Sequence, residues 1–420
     1  MQTTIALGLV NDPRATAAEE LLRKCVHCGF CLATCPTYNL LGDEQDSPRG
    51  RIYLIKQVVE GHTPTASTRT HLDRCLTCRN CETTCPSGVE YGHLVDLGRD
   101  LVEEQVPRRG LDYWKRQAIL SVLPYSKRMA PMVRIGQTLR PLLPATLAAR
   151  VPPAQEPGSW PGATHERRML VLEGCVQPSM TPATNASAAR VLDAFGITLQ
   201  SATQAGCCGA VHFHLNEQEK AKALMRQNID AWWPSIEAGC EAIISTASGC
   251  GVMLKDYAHV LADDDRYADK ARQISQLSKD IVEVLIEVLQ QEDLQRFRSQ
   301  AAAMGKIAFH SPCTLQHGQK LPLVTETLLG RFGFVLTAVD ESHTCCGSAG
   351  TYSIFQPELS QQLRDNKLGH LLAEEPDIIA TANIGCQLHL QGGSGRQVLH
   401  WVELVDRLVS QAVQQDRQTV

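Results

Sequence analysis

Cys25-Val-His-Cys28-Gly-Phe-Cys31-Leu-Ala-Thr-Cys35-Pro36 is followed by Cys75-Leu-Thr-Cys78-Arg-Asn-Cys81-Glu-Thr-Thr-Cys85-Pro86, and both read C-x2-C-x2-C-x3-C-P. Each cysteine of the second array lies fifty residues after its counterpart. Three thiolates at successive three-residue steps can take three corners of a cuboidal iron–sulfur cluster, while the fourth, followed by proline, turns towards a neighbouring cluster. Two arrays therefore predict two [4Fe–4S] clusters with crossed ligation. Cys25, Cys28, Cys31 and Cys85 are expected around one, and Cys75, Cys78, Cys81 and Cys35 around the other. Zinc sites favour two well-separated knuckles over four thiols in eleven residues.

The rest of the composition suits that reading. The 420-residue chain is 43% apolar and 20% charged with a formal net charge of −5, so it has room for two or three cores and no basic excess for nucleic acid. Seventeen cysteines exceed what core packing needs. The N-terminus, Met1 to Pro13, has no basic segment before its short apolar stretch, so export is not expected and the thiols belong to a reducing, cytoplasmic compartment. No run is long and apolar enough for a spanning helix.

Helical signals surround the arrays. Thr16 to Lys24 begins with a capping residue and acids and ends in basic residues. Ser47 is a candidate N-cap, Pro48 suits the first helical position and Gly61 the far end, which places a helix between the arrays. Residues 89–105 repeat the helical period. From Tyr113 to Gln155 there is no acid, while Lys115, Arg116, Lys127, Arg128, Arg134, Arg140 and Arg150 alternate with apolar residues including Met132, Ile135, Leu139, Leu142 and Leu143. Such a stretch can lie on an anionic membrane. Packing on the acidic remainder of the chain or on a partner subunit stands ahead of that, because basic amphipathic segments have several uses. Prolines at 124, 131, 141, 144, 152 and 153 are expected to break it into short pieces, and 151–165 reads as a linker.

Beyond the linker the chain repeats. Cys175 and Cys207-Cys208-Gly209 recur as Cys313 and Cys345-Cys346-Gly347 at an interval of 138, and Cys250 recurs as Cys386 at 136. Arg168–Cys175 and Lys306–Cys313 read as strands running into a cysteine, and Glu241–Thr246 and Asp377–Thr381 as second strands. Helical stretches fall at 183–195, 216–238, 322–332 and 357–374. Strands alternating with helices indicate an α/β unit present twice, with its cysteines at the carboxyl ends of strands. Cys240 fits neither repeat and reads as a small buried hydrophobe. Gln391-Gly-Gly-Ser-Gly395 reads as a turn, His27 as an outer residue, and His310, His317 and His343 as loop histidines that are usually solvated. With no nicotinamide, flavin or P-loop motif, the chain is expected to carry electrons without itself taking a hydride from an organic substrate.

The Cys-Cys-Gly repeats resemble the cysteine-rich (CCG) domain of heterodisulfide reductases and of iron–sulfur subunits of flavin dehydrogenases. The fullest form of that motif closes with C-x2-C, whereas here Ala247 and Asn383 stand where its first cysteine would be, so each copy keeps four of five thiols. Cys175, Cys207, Cys208 and Cys250, and Cys313, Cys345, Cys346 and Cys386, are thus candidates for one or two further iron–sulfur clusters, a reversible disulfide or a structural metal.

The whole order of motifs, with Ser47-Pro-Arg-Gly-Arg51-Ile between the arrays, is similar to that of the iron–sulfur subunits of bacterial glycolate oxidase. The fold this implies is multidomain: a mainly α-helical two-cluster ferredoxin domain (1–110), a basic connector and linker (111–165) and two α/β CCG domains (166–300 and 301–420). The resemblance implies an electron-transfer subunit, not catalytic alone. It would relay electrons from flavin-binding dehydrogenase subunits that oxidise a 2-hydroxy acid towards quinone or another membrane acceptor, peripherally on the inner face of the cytoplasmic membrane. The alternatives are a heterodisulfide or thiol reductase acting at the CCG cysteines, the equivalent subunit of a lactate or glycerol-3-phosphate dehydrogenase, and a scaffold stiffened by its clusters.

Overall fold

The structure, a computed structural model, describes residues 1–142, 144 and 151–418. Leu143 and Arg150 of the basic stretch lie outside the described residues. The chain forms two compact units, the first being Met1–Ala118 with His214–Asn216 and His343–Lys367, and the second Ile119–Phe213, Glu217–Ser342 and Leu368–Val420.

The first unit is helical. Asp12 caps the helix Pro13–Lys24, accepting from Arg14 N at 2.9 Å, one turn earlier than the Thr16 start expected from the sequence. Ser47 caps Pro48–Val59 by accepting from Gly50 N at 2.9 Å, and Gly61 follows with φ +89°. Ala66–Asp73 and Tyr91–Gln105 complete the frame, burying Leu22, Ile52, Ile55, Val59, Leu72, Leu94 and Leu101 in one core.

The second unit carries two four-stranded parallel sheets. Strands β1 (Arg167–Val171), β2 (Ile197–Ser201), β3 (Ile243–Ser245) and β4 (Ser278–Asp280) lie in the order β2-β1-β3-β4. Strands β5 (Lys306–His310), β6 (Val335–Leu336), β7 (Ile378–Thr381) and β8 (Gln397–His400) repeat that order as β6-β5-β7-β8. Helices Ala183–Ala194, Gln218–Glu237, Val324–Phe332 and Pro357–Leu372 occupy the expected stretches. A single apolar core draws on both sheets, with Val171, Ile197 and Ile244 from one and Phe309, Ala380 and Leu399 from the other around Trp401. Buried polar pairs join the repeats: Thr184 Oγ1 donates to Glu403 at 2.8 Å, Ser187 Oγ to Asp406 at 2.9 Å, and Arg190 pairs with Asp406 at 2.6 Å. His400 bridges them as well. Burial pushes its pKa down to about 4, and the neutral ring spans Thr246 O at 2.8 Å and Val402 N at 3.2 Å.

Two sequence expectations are corrected here. The basic stretch forms helices Gly110–Val122 and Ser126–Leu139, the second with Pro131 inside it. Proline is tolerated there because it frees only the carbonyl of Lys127, an exposed residue that water can serve. Gln391–Ser394 is the last turn of the helix Ile384–Ser394, not a free turn, and Gly395 ends that helix with φ +62°. Residues 151–165 hold no helix or strand, yet Trp160 Nε1 donates to Leu199 O at 3.1 Å and His165 N to Thr198 Oγ1 at 2.7 Å, fastening the linker along β2.

Asp280, at the end of β4, caps the helix Ile281–Val288 and is buried. Burial pushes its carboxyl up to about 7, with Val282 N, Gln319 and Lys255 opposing and Glu283 adding to the rise. A carboxyl raised on folding contributes stability that is complete below its unfolded value of 3.8 and is lost as pH climbs through about 7. Asp280→Asn is expected to flatten the fall in stability between those limits, as read from urea unfolding of both proteins at several pH values.

Candidate metal centres

The two N-terminal arrays fold into loops with the same backbone. His27 and Gly29 have φ of +55° and +85°, and Thr77 and Arg79, fifty positions later, have +52° and +59°. Left-handed residues at alternate positions curl the chain and turn its amides inward, forming a concave nest. Short helices, Phe30–Ala33 and Asn80–Thr83, then carry Cys31 and Cys81, and Cys35 N and Cys85 N close on Leu32 O and Glu82 O at 3.1 Å in both copies.

These loops line two hollows of similar size, as two copies of one cofactor require. Cys25, Cys28, Cys31 and Cys85 line a space of about 440 Å³, and Cys35, Cys75, Cys78 and Cys81 one of about 360 Å³. Cys81, Tyr91 and Pro48 face both. The fourth cysteine of each array thus joins the other array's three. Burial, then the charges of Cys25, Cys28 and Cys35, push the Cys31 thiol up to about 11. Burial, then Cys78, Cys75 and Cys35, raise Cys81 in the same way. Thiols that obstruct one another's ionisation need a cation to become ligands, and iron supplies it. The Tyr91 hydroxyl, buried and without a hydrogen-bond partner, is a polar atom that such a cofactor would satisfy. The donor set and the hollows therefore fit two [4Fe–4S] clusters, which would exchange single electrons. His27 Nε2 lies against Met1 Sδ at 2.9 Å, away from a ligand's role.

Sequence reasoning missed the buried polar network behind the second hollow. Arg51 is 1% exposed and Asp46 0%. Arg51 Nε donates to His71 O at 2.7 Å, both its Nη groups to Thr37 Oγ1 at 3.2 Å, and Nη2 to Asp46 Oδ1 at 3.3 Å. Thr37 Oγ1 in turn lies 3.3 Å from Cys35 Sγ. Arg74 pairs with Asp46 Oδ2 at 2.8 Å, and His71 Nδ1 lies 3.0 Å from Oδ1. The signal was present, since Asp46 and Arg51 flank the Ser47-Pro48 cap, but a helix start alone explained them.

In the second unit Cys175, Cys207, Cys208 and Cys250 meet at the carboxyl end of the first sheet. Cys207 lies within hydrogen-bond reach of Cys175 and Cys208, and Cys250 of Cys208, and these contacts with burial raise both thiols well above the usual range. Cys313 follows β5 and Cys386 opens the helix after β7, matching Cys175 and Cys250. Cys345 and Cys346 are buried within the 343–367 segment of the first unit. The two non-cysteine positions differ. Ala247 is a buried apolar cap, whereas Asn383 Nδ2 donates to Cys386 Sγ at 3.7 Å. Among the described residues no disulfide is formed, and Cys240, half-buried, donates to Ala242 O at 3.4 Å. His310 and His317 are buried at 1% and 7% exposure, not solvated as loop histidines usually are, because His310 ends a core strand.

Residues 21–89 match the 4Fe-4S dicluster domain, and residues 169–255 and 307–391 match the cysteine-rich CCG domain. With the thiol-lined hollows, these matches define an iron–sulfur electron-transfer subunit of an oxidoreductase complex. The chain is 53% identical over 408 residues to the glycolate oxidase iron–sulfur subunit of Escherichia coli strain K12, covering 97% of this chain and 99% of that one. It is 31% identical over 440 aligned residues to the probable glycolate oxidase iron–sulfur subunit of Bacillus subtilis strain 168, covering 96% of each. Lactate utilization protein A of Geobacillus kaustophilus is 27% identical over 209 residues, covering 48% of this chain and 82% of that one. The chain belongs to the family of glycolate oxidase iron–sulfur subunits. Among the described residues, no helix is long and apolar enough to cross a membrane.

The glycine of each Cys-Cys-Gly has a steric reason. Gly209 and Gly347 have φ of +96° and +86° and turn their amides onto Cys207 Sγ at 3.5 Å and Cys345 Sγ at 3.4 Å. A Cβ on Gly347 would stand 2.5 Å from Ser360 O, whereas one on Gly209 would meet the flexible Met225 Cε at 3.2 Å. Gly347→Ala should therefore cost about 1–3 kcal/mol and Gly209→Ala less, as measured by denaturant unfolding of the two variants.

Proposed function

We propose that this chain relays single electrons from flavin-binding dehydrogenase subunits that oxidise a 2-hydroxy acid, glycolate first, towards a membrane quinone. Cys25, Cys28, Cys31 and Cys85 hold one [4Fe–4S] cluster and Cys75, Cys78, Cys81 and Cys35 the other, with the helical domain at 1–110, the connector at 111–165 and the CCG domains at 166–300 and 301–420. The observation that carries this reading is the pair of thiol-lined hollows sharing Cys81 and Tyr91 on a common wall, which suits transfer between adjacent one-electron centres. The two CCG quartets extend the relay with one or two further clusters. A disulfide reductase ranks below it, because Ala247 and Asn383 leave each CCG quartet short of the fifth thiol.

The complex works on the inner face of the cytoplasmic membrane. The helix Ser126–Leu139 and the turn after it support peripheral contact, since Met132, Ile135, Leu139 and Leu142 are exposed together with the basic Lys127, Arg128, Arg134 and Arg140.

Reconstitution of the purified chain with iron and sulfide should give about eight irons for the N-terminal pair alone and about twelve or sixteen with the CCG quartets filled. Metal near zero, or zinc in its place, would remove the relay. In the co-purified complex, glycolate should produce the low-temperature EPR signal of reduced clusters. A response to lactate or glycerol 3-phosphate in its stead would reassign the donor.

A further inference from the structure

The two hollows have nearly the same thiols but very different electrostatic surroundings. Behind the hollow of Cys35, Cys75, Cys78 and Cys81, the Arg51 guanidinium is buried, bonded to Thr37 Oγ1, which itself touches Cys35 Sγ. A second guanidinium, Arg99, is also buried and donates to Cys75 O at 2.7 Å, Leu72 O at 2.9 Å and Thr77 Oγ1 at 3.1 Å. Arg74, 32% exposed, pairs with Asp46 from the solvent side, and Arg79 on the wall of the hollow is set against Glu82 at 4.0 Å. Against the two buried guanidiniums stand two buried carboxylates, Asp46 and Asp96, the latter 3.6 Å from Arg99 and 3.2 Å from His214. The buried charges are equal in number, but it is the guanidiniums that reach the cysteine array, Arg51 through Thr37 to Cys35 Sγ and Arg99 directly to Cys75 O.

Around the other hollow the cations face water. Arg49 is on its wall, with a 34% exposed side chain paired to the 46% exposed Glu44 at 2.7 Å. The Met1 ammonium donates to Cys25 O at 2.7 Å and to Arg23 O at 2.8 Å, at a half-buried chain end. Cys28, Val26 and Phe30 are exposed, so solvent and salt reach this side. A charge in water is screened by solvent and salt, whereas one held in the protein interior is screened much less.

Reduction adds one negative charge to a centre that already carries the charge of four thiolates. The neighbouring fixed charges therefore decide which centre takes the electron more readily. We propose that Arg51, locked between Asp46, Thr37 and the His71 carbonyl and backed by Arg99, is a tuning residue that makes the cluster of Cys75, Cys78, Cys81 and Cys35 the higher in potential of the two. This rests on the relay reading. The same hollow is the one the first unit connects to a CCG cysteine pair. Asn80, beside Cys81, donates to His343 O at 3.2 Å, and Tyr352, buried near Arg51 and Cys75, shares their field with Cys345. The centre that holds the electron is thus the one on the side of the Cys345-Cys346 pair.

The test is an EPR-monitored redox titration of the full reconstituted chain, using dithionite as reductant. Cys28→Ser assigns the signals, since the one it leaves unaltered belongs to the hollow of Cys75, Cys78, Cys81 and Cys35. In the unsubstituted chain that signal should have the higher midpoint. Arg51→Gln should lower it by an amount equal to about a tenfold fall in the reduced-to-oxidised ratio, about 59 mV for one electron, and leave the other signal in place. Arg51→Lys, which keeps the charge, should restore most of the shift. A lower midpoint for that signal in the unsubstituted chain, or Arg51→Gln moving both signals equally or neither, overturns the assignment. The first of these outcomes decides the matter even where Arg51→Gln fails to assemble. The relay reading fails separately, by iron content near zero or by ordered midpoints with no reduction from any 2-hydroxy acid in the complex.

Discussion

Thiolates brought within reach of one another repel, and burial makes each harder to ionise. That conflict governs this protein. The raised thiols of Cys31, Cys81, Cys207 and Cys250 are its visible mark, since each is held up by burial together with its neighbouring cysteines. A chain that nevertheless gathers such groups must hold them by backbone geometry and neutralise them with metal. The left-handed pairs at His27 and Gly29 and at Thr77 and Arg79 supply the geometry in the first unit. Parallel strands ending at a common edge supply it in the second.

The two solutions suit different tasks. Curled loops on short helices give closely spaced hollows with a common wall, as one-electron exchange between neighbours requires. The first sheet gathers cysteines from loops far apart in the chain, since Cys175, Cys207-Cys208 and Cys250 follow β1, β2 and β3, which are adjacent and parallel. Their shared core and the Arg190–Asp406 pair bind the two repeats into one folding unit, in which neither sheet is covered by its own repeat alone.

Symmetry of ligands does not bring symmetry of environment. Both arrays carry a proline after their fourth cysteine, but Thr37 follows in one and Ser87 in the other, and only Thr37 meets a buried guanidinium. Burial works against the charge on Arg51, yet Cys75, Tyr91, Cys35 and Asp46 favour it more strongly and keep its pKa above the ordinary arginine value. A relay built from two equal centres has no preferred resting place for its electron, and an asymmetric field of this kind creates one.

Much of the fold was legible in the chain because its determinants are local or periodic. The Ser47 cap and Pro48 start the helix between the arrays, and the internal repeat, at 138 residues for β1 and β5 and 136 for β3 and β7, placed those four strands. Strands β4 and β6 escaped notice because Ser278–Asp280 and Val335–Leu336 are too short to show a period, and β2 because Ile197–Ser201 has only two fully buried residues. Cysteine spacing alone grouped the ligands and, with the order of motifs, pointed to the class of protein, since ligand identity and loop reach are written along the chain. The tertiary structure alone decided what stands behind those ligands. That Arg51, Asp46, His71 and Arg99 come together around one hollow, while Arg49 beside the other is left to water, depends on the packing of three helices and the turn Glu44–Asp46, and no spacing along the chain encodes it.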